Sequence, residues 1–159
     1  MKVAITSDHA GFQLKQAIIP IIESLGHELI DLGTDSEEPV DYPDFALRIA
    51  LLIANRDVDR GVFICGSGVG GTVVVNKIPG VRAGLCHDTY SAHQGVEHDN
   101  MNILCLGSRV VGQELAIELC RAFLAAEFSG EERHRRRLGK LHEIERRFTR
   151  PIDQAMSET

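Results

Sequence analysis

Short apolar runs and helix-patterned segments alternate five times along this chain, and few folds accept that order. The runs are Lys2 to Thr6, His27 to Leu32, Val62 to Cys65, Val81 to Cys86 and Asn102 to Leu106, each read as a β-strand. After the first, Phe12, Leu14, Ala17, Ile18, Ile21, Ile22 and Leu25 recur at helical spacing until Gly26 closes the helix. Pro20 lies inside that pattern and predicts a kink or a local break. A second helix, capped by Asp44, runs through Asn55 with Phe45, Ile49, Leu52 and Ile53 facing inward. The third is short, because Asn76 and the Ile78-Pro79-Gly80 break follow Val73 to Val75 at once. Helices from Tyr90 to about Glu97, from Gly112 to Phe128 and, strongly charged, from Glu131 to Phe148 complete the chain. Strands joined through helices run parallel and need cover on both faces. The expectation is a three-layer, Rossmann-like α/β fold with a doubly wound five-stranded parallel sheet and an extra C-terminal helix. Residues 1–150 are read as one domain and 151–159 as a frayed tail.

In such sheets ligands collect beyond the carboxyl ends of the strands. Those ends carry Asp8-His9, Cys65-Gly66-Ser67, His87-Asp88 and Ser108-Arg109, so the polar chemistry falls on one edge. The central stretch is Gly61 to Gly71, GVFICGSGVGG, a strand that runs into a glycine turn and opens a helix. That arrangement aims several backbone N–H groups at one point and makes it attractive to negative charge. Cys65 sits where strand meets loop, and the same field favours a thiolate there, usable as base or nucleophile. Cys86, Cys105 and Cys120 lack such a setting and read as small packed hydrophobes.

A rival reading exists for this loop. Gly66, Gly68 and Gly71 satisfy G-x-G-x-x-G, and Asp88 ends the next strand where a ribose-binding acid belongs in a dinucleotide fold. Against it, that fingerprint normally opens the first strand–helix unit, whereas two complete units precede it here. A P-loop is excluded because no Lys-Ser/Thr pair follows the glycines.

Composition narrows the partners. A formal net charge of −6 over 159 residues argues against nucleic acid, which is bound through broad positive surfaces. No run approaches the roughly 20 apolar residues of a membrane span, and the start, MKVAITSDHAG, lacks a signal-peptide core. The expectations are no membrane partner and a cytoplasmic location. The cysteines show no C-x-x-C spacing, so neither a disulfide nor a metal is expected.

Three further groups are candidates. Asp8 and His9 follow the first strand, whose usual neighbour is the third, and so belong near Cys65. His98, read in a loop after the fourth helix, is either a solvated residue or an acid–base group over the cleft. Arg133 and Arg137 stand four apart in the one basic run of an acidic chain and share a helix face. They either pair with nearby glutamates or together clamp one phosphate group, which suits a small sugar phosphate better than a polymer.

Taken in order, SDHAGF, GTDSEEPVDYPDFA, ICGSGVG, NKIPGVRA, HDNMN, LGSRVVG and GEERHRRR resemble the ribose-5-phosphate isomerase B family, which includes galactose-6-phosphate isomerase subunits. The resemblance implies interconversion of D-ribose 5-phosphate and D-ribulose 5-phosphate without metal or organic cofactor. It also implies a homodimer, or a dimer of dimers, with active sites at the subunit interface. By the same resemblance Cys65 is the base that shuttles a proton between C2 and C1. The backbone amides of Gly66, Ser67, Gly68, Val69 and Gly70, with the Ser67 hydroxyl, stabilise the enediolate, and His98 opens the furanose ring. Asp8 and His9 bind substrate, and Arg109, Arg133 and Arg137 serve the phosphate and the interface. A subgroup that lacks the cysteine carries a glutamate at the position of Gly71, so this chain looks like the cysteine type. One departure is Asp99, where the family commonly has Asn. A carboxylate there favours the imidazolium form of His98, repels an anionic substrate or changes which sugar is accepted. Allose 6-phosphate, galactose 6-phosphate and a tetrose phosphate stay open as substrates. From a different class, so does a non-catalytic module that binds nucleotides or sugar phosphates.

Overall fold

The computed structural model describes residues 1–148; the expected tail, 151–159, lies outside the described residues. Its strands are β1 (Lys2–Ser7), β2 (Glu28–Asp31), β3 (Arg60–Cys65), β4 (Ala83–Leu85) and β5 (Ile103–Gly107). The helices are α1 (Phe12–Ser24), α2 (Tyr42–Ala54), α3 (Val69–Val75), α4 (Thr89–Asp99), α5 (Gln113–Ala125) and α6 (Glu132–Phe148). All four strand pairings are parallel, and the sheet order is β2-β1-β3-β5-β4.

The alternation of side chains along each strand divides the core in two. Val3, Ile5, Val62, Ile64, Leu104 and Leu106 face α1, α4 and α5, while Ala4, Phe63, Cys65, Ile103 and Cys105 face α2 and α3. The three-layer α/β expectation therefore holds, with α6 packed against α4 as the extra helix. β5 returns between β3 and β4, which leaves β4 at the edge. The ends of β1, β3 and β5 are consequently contiguous, whereas the His87-Asp88 turn after β4 stands one strand further out.

Several boundaries differ from expectation for local reasons. Pro20 does not break α1, which runs unbroken through it; the residue lies on the exposed side, where the carbonyl deprived of its N–H need not be buried unpaired. α2 starts earlier than predicted, with Asp41 at the cap, Pro43 in the first turn and Asp44 inside that turn. α4 runs two residues past Glu97, so His98 and Asp99 belong to its last turn and not to a loop. Asn100, in the left-handed conformation at φ 52°, ends it, a conformation asparagine tolerates better than most residues.

Candidate active site

Parallel register brings the first two groups together. Ser7 pairs with Ile64, so Asp8 and Cys65 leave neighbouring strands at the same level, and the Asp8 N–H donates to the Ile64 carbonyl (3.1 Å). The Asp8 carboxylate is 7% exposed and accepts the Gly11 N–H (3.0 Å), which fixes the turn after β1. From the other side β5 holds the glycine loop, with Ser108 N–H on Cys65 O (2.9 Å) and Arg109 N–H on Gly66 O (3.0 Å).

Cys65 is 4% exposed at the wall of a cavity of about 340 Å³. Asp8, Tyr42, Gly66, Ser67, Gly70, Arg109 and Val110 complete the lining. The Gly68 N–H donates to Cys65 Sγ at 3.2 Å, the kind of contact a thiolate accepts. Gly68 holds φ 79° and a side chain there would strike Leu85 and the backbone at Leu106, so only glycine turns the chain onto the sulfur. Ser67 Oγ accepts the Val69 N–H (3.3 Å), and Val69 itself points outward, 54% exposed. The Arg109 guanidinium lies over Gly66, 3.6 Å from where a β-carbon would stand.

The other three cysteines are packed in the two core clusters. Burial pushes the Cys86 thiol up to about 11 and those of Cys105 and Cys120 up to about 12, as their assignment to packing requires.

The remaining predicted residues do not line this cavity. His9 faces a neighbouring hollow with Val40, Asp41 and Arg48, where its Nδ1 accepts the Val40 N–H (3.2 Å). His98 stands at the end of α4, its ring 4.1 Å from that of His134 on α6, centroid to centroid. Gln94 Nε2 donates to His98 Nδ1 (2.7 Å), and the carboxylate nearest His98 Nε2 is that of Glu97 (3.9 Å). Asp99 lines a separate cavity of about 510 Å³ between the loop over 76–82 and α6, so it is not the carboxylate that meets His98. Arg133 and Arg137 do share α6, but Arg133 pairs with Glu131 (2.8 Å) and neither guanidinium lines the Cys65 cavity. Within one chain the polar groups thus form two halves, one around Cys65 and one around His98 and His134. His134 is 1% exposed, pairs with Ser129 Oγ (2.7 Å) and leaves Nε2 buried without a partner. Burial first, then His98 and the Arg133 guanidinium, lowers its pKa.

Asp88 is occupied otherwise than the dinucleotide reading requires. It caps α4, accepting the Ser91 N–H (2.7 Å) and hydroxyl (2.9 Å), and those bonds hold its carboxyl below the usual range. Tyr42 and Val110 are the lining residues outside the expected site; the sequence pattern puts Tyr42 in a surface loop. Among the described residues no cluster of His, Cys, Asp and Glu could hold a metal ion, and no helix is long and apolar enough to cross a membrane.

A family model described as Ribose/Galactose Isomerase matches residues 3–141. The chain belongs to the ribose/galactose isomerase family. Ribose-5-phosphate isomerase B of Escherichia coli is 44% identical over 146 residues, covering 92% of this chain and 97% of that one. D-erythrulose-4-phosphate isomerase of Pectobacterium atrosepticum is 40% identical over 132 residues, 82% and 86% of the two chains. Among solved structures, ribose-5-phosphate isomerase B of Clostridium thermocellum superposes with a TM-score of 0.90 at 46% identity over 94% of this chain and 100% of that one. Membership in this isomerase family answers the question left by the glycine loop, because the dinucleotide pattern is there without the placement of Asp88 that its function needs. Gly71, the position at which the resemblance sets a glutamate in the subgroup without the cysteine, is closely packed. A β-carbon at Gly71 would fall 2.0 Å from the Phe63 ring, so this chain has no room for that side chain.

Proposed function

We propose that this isomerase interconverts D-ribose 5-phosphate and D-ribulose 5-phosphate through an enediolate, with Cys65 as the base. The observation that carries the reading is Cys65 Sγ at a cavity wall with the Gly68 N–H on it and the glycine loop beside it. In the open-chain aldose the C2 proton lies next to the C1 carbonyl. The Cys65 thiolate removes that proton, the electron pair forms the C1–C2 double bond, and the C1 oxygen takes the charge. Main-chain N–H groups between Gly66 and Gly70, with the Ser67 hydroxyl, stabilise that oxygen. Cys65 returns its proton to C1 while the C2 hydroxyl proton passes to the C1 oxygen, which gives the ketose and restores the thiolate.

Ring opening and phosphate binding need His98, Arg133 and Arg137, and these stand in the other half-site. A homodimer in which each Cys65 cavity meets the α4–α6 corner of a second copy completes the constellation. Exposed apolar groups around the cavity rim support this, with Val69, Val73 and Val110 each more than half exposed. A second reading, a four-carbon sugar phosphate as substrate, is favoured by the similarity to the D-erythrulose-4-phosphate isomerase.

A turnover screen across tetrose, pentose and hexose phosphates separates the two. The dimer is tested by co-refolding an inactive Cys65→Ala chain with an inactive Arg133→Ala/Arg137→Ala chain. Random pairing gives half mixed dimers with one intact site each, so about a quarter of wild-type activity returns. No recovery above the two parents counts against a shared site.

A further inference from the structure

Lys15 lies on the inward face of α1, beside Leu14 and Ile18, and is 0% exposed. Its ammonium meets both oxygens of Asp31 at the end of β2, at 2.6 and 2.7 Å. An ammonium in an apolar core is costly, and a methionine of similar shape would hold α1 on the sheet without that cost. What the pair provides is an oriented carboxylate. Asp31 Oδ1 accepts the Gly33 N–H (3.0 Å), and the Gly33 carbonyl accepts both the Ser7 N–H (2.9 Å) and the Thr6 hydroxyl (2.8 Å). Thr34 N–H closes the link on Ser7 O (3.0 Å), one residue before Asp8. At the far end of the same loop, Val40 N–H donates to His9 Nδ1 (3.2 Å), and Tyr42 enters the Cys65 cavity. With Nδ1 an acceptor, the neutral His9 ring carries its proton on Nε2.

We propose that Lys15 is a positioning residue: through Asp31 it anchors the loop over 33–41, which sets Asp8, selects the His9 tautomer and delivers Tyr42 to the cavity. The catalytic consequence rests on the sugar-phosphate reading above, while the link from Lys15 to His9 stands without it. None of these bonds involves Arg133 or Arg137, so the phosphate clamp on α6 is expected to be unaffected.

The test compares the wild-type protein with Lys15→Met and with Lys15→Met/Asp31→Leu, which removes both charges and leaves no stray carboxylate. Each is labelled with 15N-histidine and followed by imidazole NMR, circular dichroism and isomerase kinetics. In both folded variants the His9 Nδ1 resonance leaves its hydrogen-bonded acceptor position. Displacement of the gripping groups lowers kcat/KM by about 10–100-fold while the inhibition constant for inorganic phosphate stays within about twofold. The double variant keeps or raises the wild-type Tm and still shows the kinetic loss, which separates orientation from stability. A wild-type His9 spectrum in either folded variant, or wild-type kcat/KM in the double variant, overturns the proposal. Should the wild-type protein turn over no sugar phosphate, the substrate reading fails and the His9 spectrum alone decides the link.

Discussion

Replacing Cys65 by serine isolates the base from everything else the residue does. The hydroxyl oxygen occupies nearly the same place, accepts the Gly68 N–H that now bonds to Sγ at 3.2 Å, and stays 4% exposed. The change in stability is therefore that of one weak hydrogen bond, about 1 kcal/mol or less. The proposed base is what is lost, since a serine hydroxyl does not serve as a base near neutral pH. A positioned general base contributes about 10²–10⁴-fold, or about 3–5 kcal/mol of barrier at 1.36 kcal/mol per decade. Among the described residues the carboxylate lining the cavity is that of Asp8, and its Oδ1 is committed to the Gly11 N–H, so it does not substitute freely. Cys65→Ser is expected to bind ribose 5-phosphate with nearly unchanged affinity by calorimetry. Its kcat is expected to fall by about 10³-fold, and in deuterated water exchange at C1 of ribulose 5-phosphate to fall with it. Turnover within tenfold of wild type would refute the thiolate mechanism and turn attention to Asp8, whose replacement by Asn would then abolish activity.

Two further outcomes follow from the second half-site. Arg137→Ala, which removes one guanidinium from the exposed face of α6, is expected to raise KM about 10–100-fold with a smaller change in kcat. An unchanged KM in steady-state assays removes the phosphate clamp. For His134 the folded pKa lies below the ordinary 6.5, so beneath about 6.5 the unfolded chain binds a proton that the folded one refuses. Stability is accordingly fullest above that pH and declines as pH falls through 6.5 toward the folded pKa. Urea midpoints measured across that range fall with acid in the wild type and fall less in His134→Gln; parallel slopes would show that His134 is not the responsible group.

The residues that sequence reasoning located well are those whose neighbours are dictated by strand register. Asp8 and Cys65 end adjacent parallel strands, and the order of strand and helix alone implies that adjacency. Tyr42 escaped because the loop before α2 reads as solvated turn, and only the early start of the helix at Asp41 swings the ring onto Gly70, where a β-carbon would lie 2.8 Å from it. Lys15 left a signal that went unread: it sits three residues before Ile18 and seven before Ile22, on the buried stripe of α1, where a lysine needs a partner. The end of α4 lies two residues beyond the expected one, which moves His98 from loop to helix; helix ends are the least legible boundary, because a polar last turn and a polar loop have the same composition.

The division of the site has a deeper cause. Helical spacing places Arg133 and Arg137 on one face, and register places Asp8 beside Cys65, but both are statements about single elements or paired strands. What brings α6 to a particular cavity is the packing of α6 on α4, and that packing carries it to His98 and away from the end of β3. The pentose phosphate reading asks for a base and an anion clamp a few ångströms apart at opposite ends of one small molecule. On that reading, a chain that holds these in separate half-sites would meet the demand by pairing with a copy of itself. The dimer is thus a requirement of the proposed chemistry. It follows that dilution below the dimer dissociation constant should remove turnover while leaving the fold, and with it the Asp8–Cys65 arrangement, in place.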